Sequence, residues 1–185
     1  TVSDNIAGSG GGGILAFYGT GEITNCTVWE NSPDQINGGA AVTYSNIQGG
    51  WSDTGNISAN PHFAGPGHWD PNGTPQDAKD DFWVDGDYHL KSQAGRWDAS
   101  EGRWMIDHVT SPCIDAGDPL DPIGLEPFPN GGIVNMGAYG GTGEASKSYL
   151  GTPPCEIIVA GDINGDCEVN FEDFRLIALH WLQEH

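Results

Sequence analysis

Short apolar runs broken by glycine-rich corners fill the first sixty residues. "SDNIAGSGGGGI" (3–14), "TNCTVWENS" (24–32) and "TYSNIQGG" (43–50) each carry a polar residue followed by a β-branched one. Aligning Asn5-Ile6, Thr27-Val28 and Asn46-Ile47 gives steps of 22 and 19 residues. A strand, a polar turn and a glycine corner repeated at that period predict coils of a β-solenoid, in which each repeat buries its apolar face only against its neighbours. Evenly spaced hairpins of a β-sandwich are the alternative reading of the same pattern.

The period is lost from Pro61 to about Glu101. "GHWDPNGTPQDAKDDFWVDGDYHL" (67–90) reads as loops and short strands, punctuated by Pro71-Asn72-Gly73 and Asp85-Gly86. In "GRWDASEGRWMID" (95–107), Arg96-Trp97 and Arg103-Trp104 lie seven apart across a turn-prone stretch from Asp98 to Gly102. That spacing predicts an antiparallel hairpin with Trp97 and Trp104 close together. The pair is a candidate sugar-stacking platform, weighed against a hairpin that covers an open core end. "SPCIDAGDP" (111–119) and "NGGIVNMGAYGG" (130–141) read as two last strands. "GTGEASKSYLGTPP" (141–154) has linker composition and ends in a double proline. The expected division is 1–146 for the β-rich body, 147–154 for a linker and 155–185 for a small second module, whose helix would place Phe171, Phe174, Ile177, Ala178, Trp181 and Leu182 on one face.

Composition qualifies this picture. Leu, Ile, Val and Phe number 36 of 185, just under the roughly 20 % at which a charged chain reads as disordered. Seven Trp, five Tyr and 29 Gly argue instead for an ordered, core-poor protein. Six Lys and Arg against 26 Asp and Glu give a formal net charge of −20, so nucleic acid is repelled and cations and neutral sugars are the expected partners. No apolar run reaches the ~18 residues of a membrane span. Cys26, Cys113, Cys155 and Cys167 permit three fully paired connectivities. With the acidic, Lys-poor composition they point to a secreted, extracellular or cell-surface setting.

The stretch "GDINGDCEVNFEDF" (161–174) carries the clearest chemistry. A twelve-residue loop wraps calcium with oxygens from positions 1, 3, 5, 7, 9 and 12. Counted from Asp162, these are Asp162, Asn164, Asp166, the carbonyl of Glu168, Asn170 and Asp173, so calcium is the expected cofactor. Position 6, where a sharp turn favours glycine, is Cys167; a disulfide from Cys167 to Cys155 would tie the loop down, and Cys26 and Cys113 are expected to stay reduced.

Two resemblances follow. "NPHF", "GDYHL", "SPCIDAGDP" and "NMGAYGG", with the repeats before them, resemble the C-terminal part of right-handed parallel β-helix proteins of the pectate-lyase-like or choice-of-anchor kind, over about residues 1–146. The resemblance implies an all-β fold, β-helix end coils with a loop-rich cap, and polysaccharide as a partner. The calcium loop and the following "FRLIALHWL" are similar to one type I dockerin repeat over about residues 161–182. Dockerins carry two repeats and this chain shows one, so a cohesin-like partner is not carried over.

No catalytic group is assigned. Lys79, Lys91, Arg96, Arg103, Lys147 and Arg175 lie outside the repeats, and His62, His68, His89 and His108 occur singly. Asp77, Asp80, Asp81, Asp85 and Asp87 follow no loop rule and read as a solvated acidic face. The expected function is a non-catalytic extracellular module for assembly, attachment or polysaccharide contact; the alternative is the C-terminal portion of a polysaccharide lyase-like enzyme whose reactive groups lie upstream. Residues 1–30 are expected to meet further coils or another copy of the chain, stacked as a filament.

Overall fold

The computed structural model describes residues 1–77, 79–149, 161, 163 and 169–180. Eleven short strands and one helix follow one another: β1 (Val2–Ser3), β2 (Ile14–Thr24), β3 (Thr27–Trp29), β4 (Ile36–Thr43), β5 (Asn46–Ile47), β6 (Phe63–Gly65), β7 (His68–Asp70), β8 (Phe82–Val84), β9 (Asp87–Leu90), β10 (Arg96–Asp98), β11 (Arg103–Met105) and α1 (Phe171–His180).

Parallel pairing is confined to the N-terminal part. One sheet has the order β1-β3-β5, and β2 pairs with β4. Thr27 sits opposite Asn46 and Val28 opposite Ile47, at the 19-residue step the repeats imply. The first step differs: Val2, not Ile6, faces Val28, and Ile6 bridges to Ser32. The Asn31 side chain fixes this register, because its amide donates to the Val2 carbonyl (3.0 Å) while its oxygen accepts the Asn5 N–H (3.0 Å). Within the β2–β4 pair the register slips between Ala16 and Gly21. Gly38, facing Ala16, has φ +105°, and a Cβ there would collide with the Ala16 carbonyl.

Among the described residues beyond 60, every sheet is a two-stranded antiparallel ribbon: β6–β9, β7–β8 and β10–β11. The architecture is therefore a set of small separate sheets, parallel and antiparallel, and not the parallel β-helix expected from the repeats. Residues 111–119 and 130–141 are turns and irregular chain instead of two last strands. Side chains take the place of a ladder there. Met136 N–H donates to the Cys113 carbonyl and Gly117 N–H to that of Val134, but the Asp115 and Asn135 N–H groups go to the side chains of Asn135 and Glu126.

Two apolar clusters form the core. Val28, Ile36, Val42 and Ile47 lie between the parallel sheets; Phe63, Leu90, Cys113, Ile114 and Met136 lie beneath the ribbons. Such small clusters suit the low Leu, Ile, Val and Phe content, and buried hydrogen-bonded amides such as Asn46 and Asn135 fill the space between them.

The helix starts with a capping arrangement: Asn170 Oδ1 accepts the Glu172 N–H (2.7 Å) and Asp173 Oδ2 accepts the Asn170 N–H (2.8 Å). Of its expected apolar face, Phe171 and Phe174 are 89 % and 65 % exposed, while the side chain of Ile177 and residues 181 and 182 lie outside the described set.

Candidate carbohydrate-contact surface

Two ribbons each set one tryptophan directly opposite another. In β10–β11, Trp97 faces Trp104, with ring centroids 5.5 Å apart and planes at 64°. The connecting turn is built by Asp98, whose side chain accepts N–H bonds from Ser100 (3.0 Å) and Glu101 (3.1 Å) and whose carbonyl accepts the Gly102 N–H (2.8 Å). In β7–β8, Trp69 faces Trp83, with centroids 5.6 Å apart and planes at 69°. Both pairs have the edge-to-face geometry favoured by the ring quadrupoles.

The two pairs differ in what they leave open. Trp97 and Trp104 are half-buried, and the Lys147 ammonium lies 4.0 Å from the Trp104 ring centroid. Burial lowers the Lys147 pKa. Trp69 is 54 % exposed, whereas Trp83 lies over Gly67, where a Cβ would collide with the ring.

The long connection between β7 and β8 holds itself in shape. Asp70 accepts the Asn72 N–H (2.8 Å), Thr74 N–H donates to the Pro71 carbonyl (2.7 Å), and the Thr74 hydroxyl reaches the Asp80 carboxylate (2.7 Å). Asp77 accepts the Lys79 N–H (3.2 Å). Asp77, Asp80 and Asp85 are exposed, and Asp81 is half-exposed.

Beneath the ribbons lies a polar network that sequence reasoning missed. His89 is 1 % exposed; its Nδ1 sits 2.6 Å from Asp87 and its ring stacks on Tyr139 at 3.5 Å between centroids. Its Nε2 is 3.4 Å from Glu144, outside hydrogen-bond geometry. Arg96 joins Asp87 (3.4 Å) to Asp107 (3.1 Å). Burial pushes the Asp87 pKa up, but hydrogen bonds and charge from His89, with Arg96, outweigh it, and the net displacement is downward. The i, i+2 spacing of Asp87 and His89 on one strand was the available signal. Sealed from solvent, this histidine locks β9 in place and cannot reach a polymer. His62 is half-buried; His68 and His108 are exposed.

Cys113 is buried, accepts the Asn46 amide (3.1 Å) and has its pKa raised by burial, which makes it an inert thiol. Cys26 and Cys113 are free, and no disulfide occurs among the described residues. Cys155 and Cys167 lie outside them, as do Asp162, Asn164, Asp166 and Glu168 of the expected calcium loop. Asn170 and Asp173 are described, but as the helix cap; Asp173, 2 % exposed, also accepts the Ile163 N–H (2.6 Å). No group of three or more His, Cys, Asp or Glu placed to hold a metal occurs among the described residues. No described helix is long and apolar enough to cross a membrane.

The model of the disaggregatase-related family matches residues 7–117, which include the N-terminal parallel strands from β2 onward and all four ribbon tryptophans. No curated protein and no solved structure matches the chain. This finding corrects both resemblances drawn from the sequence: neither a pectate-lyase-like β-helix family nor a dockerin is supported, and calcium binding and a disulfide, both read from the loop's spacing, find no support among the described residues. With the match covering more than half of its length, the chain belongs to the disaggregatase-related family.

Proposed function

We propose that this protein is a non-catalytic module that contacts polysaccharide through its tryptophan ribbons, in an extracellular or cell-surface setting. The single observation that carries the reading is the Trp69–Trp83 pair, in which one indole is propped edge-to-face by its partner and left more than half exposed. A rigid, supported aromatic face costs little entropy to present and suits the apolar C–H face of a sugar ring. Trp97 and Trp104 form a second, more protected pair, reachable at its rim.

Charge agrees with this reading. A net charge of −20 keeps polyanions away and leaves neutral polymers unaffected. In the ionisable cluster around His89, the imidazole itself and Arg96 are buried, and mainly the carboxylates of Asp87 and Glu144 reach solvent. The family's name refers to disaggregation, and a module that grips the polymer between aggregated particles fits such a setting without performing a reaction itself. Within assembly, β1 lies at the edge of its sheet, with its two carbonyls already held by the Asn31 and Asn5 side chains.

Affinity electrophoresis through gels containing neutral polysaccharides tests the proposal. The wild-type chain should be retarded by at least one polymer, and Trp69→Ala should lose affinity about tenfold, the effect of one stacking contact of about 1.4 kcal/mol. Equal retardation of both proteins would remove Trp69 from the contact.

A further inference from the structure

A pocket of about 220 Å³ opens where the end of β3, the chain before β6 and the end of β9 meet. Trp29 and Phe63 give it aromatic walls, and Glu30, Asn60, His62 and Lys91 bring polar groups to it. Pro66 also lines it, and the next residue, Gly67, lies beneath the Trp83 ring. The pocket is thus continuous along the chain with the exposed tryptophan ribbon.

Three observations set this pocket apart. First, two non-glycine residues of its wall, Glu30 (φ 57°) and His62 (φ 48°), have left-handed backbones. L side chains adopt this conformation at a cost, and such outliers gather at binding sites. Both are held by the fold: the Glu30 N–H donates to Gln48 Oε1 (2.7 Å), the His62 N–H to Asn60 Oδ1 (2.8 Å), and the His62 carbonyl accepts the Lys91 N–H (2.9 Å).

Second, Lys91 is half-buried and has no carboxylate partner among the described residues, although acids outnumber bases by more than four to one. Arg96, Arg103 and Arg175 are all ion-paired and Lys147 is engaged with Trp104, while Lys79, which also lacks an ion pair among the described residues, is exposed in the β7–β8 connection and not set in a pocket. Third, the lining is amphipathic in the manner of a sugar site, with ring faces for C–H groups and an amide, a carboxylate, an imidazole and an ammonium for hydroxyls.

From these we infer that the Trp29–His62–Lys91 pocket receives one neutral hexose unit of the polysaccharide that the tryptophan ribbon grips. The inference rests on the polysaccharide-contact reading and gives it a specificity site. Glu30 at the pocket and the negative field of the whole chain select against a uronate, while Lys91 and Asn60 donate to hydroxyl oxygens.

The test is a titration of the isotopically labelled full chain with the methyl glycosides of glucose, galactose and mannose, and with glucuronate, followed by amide and indole NMR shifts. At least one neutral glycoside should give saturable shifts at the Trp29 indole N–H and the amides of 62, 63 and 91, with glucuronate weaker. Lys91→Ala should weaken that glycoside about tenfold, as expected for loss of a charge-assisted hydrogen bond. Lys91→Met, which keeps the aliphatic stem and the backbone bonds, should do the same with an unchanged spectrum elsewhere. No shifts at the pocket with any neutral glycoside, tighter glucuronate, or full affinity in both Lys91 variants would overturn the assignment. Trp69→Ala should weaken the polymer about tenfold while keeping the glycoside. Polymer binding that depends on Trp69 but leaves the pocket amides unmoved sinks the pocket alone; a polymer that does not bind at all sinks the ribbon reading.

Discussion

Glu126 and Asp87 respond to pH in opposite directions, because one carboxylate is buried with too few partners and the other is surrounded by donors. Glu126 Oε1 accepts the Asn135 and Gly141 N–H groups (2.8 Å each), while its buried Oε2 has no hydrogen-bond partner. Burial raises its pKa, opposed by those two bonds and assisted by Asp115. A raised folded-state pKa means that the native chain holds the proton more tightly. Its stabilising contribution is full below the unfolded value near 4.5 and is lost as pH rises through the folded value. Asp87 is the reverse case: its lowered pKa gives stability that is present above the unfolded value near 3.8 and lost as pH falls through the folded one. Urea unfolding of Glu126→Gln across pH 4 to 7 should therefore show the variant gaining on wild type as pH rises; a constant or shrinking difference would contradict the burial argument. Arg96, 9 % exposed and set between Asp87 and Asp107, should be costly to remove. Arg96→Met leaves the mostly buried Asp107 and the partly exposed Asp87 without their cation and should lose roughly 1.5–3 kcal/mol in the same measurement, less than a fully buried pair because solvent screens Asp87.

Among the elements, the ribbons and the β2–β4 pair carry the sharpest expectations. Gly38→Ala forces a side chain into a left-handed position against the Ala16 carbonyl and should lower the stability measured by urea unfolding by more than the few tenths of a kcal/mol of a surface change. A double-mutant cycle on Trp97 and Trp104 should return a coupling of about 0.5–1.5 kcal/mol, the range of aromatic pairs; a value near zero would show that the two rings contribute only separately. The hairpin at 96–105 was legible because a short polar turn separates two identical Arg-Trp pairs. The Trp69–Trp83 ribbon was not, since a long acidic loop held by its own Asp and Thr bonds intervenes. The first repeat was misaligned by four residues because the tie between Asn31 and Val2 is a side-chain contact that period alone does not reveal. Residues 111–119 and 130–141 read as strands because their apolar content is strand-like, but the structure spends their donors on Asn135 and Glu126.

For the whole molecule, the parallel segments near the start looked like a solenoid from sequence, and the ribbons after residue 60 decided otherwise. Repeats at 19 and 22 residues report stacking locally; they do not say how far it continues. The His89 network and the Trp29–His62–Lys91 pocket were illegible for a related reason, since each joins residues from segments with no common motif. What composition did convey was a core-poor chain that relies on large aromatic rings, of which Trp69 is left exposed. We propose that this exposed ring, with its ribbon, grips polysaccharide without cutting it. The most direct measurement incubates the chain with each neutral polymer and quantifies, in one tube, the protein bound and the new chain ends released. Binding should be saturable and reduced about tenfold by Trp69→Ala, with no increase in chain ends over the polymer alone; chain ends that accumulate in proportion to protein concentration would contradict the proposal.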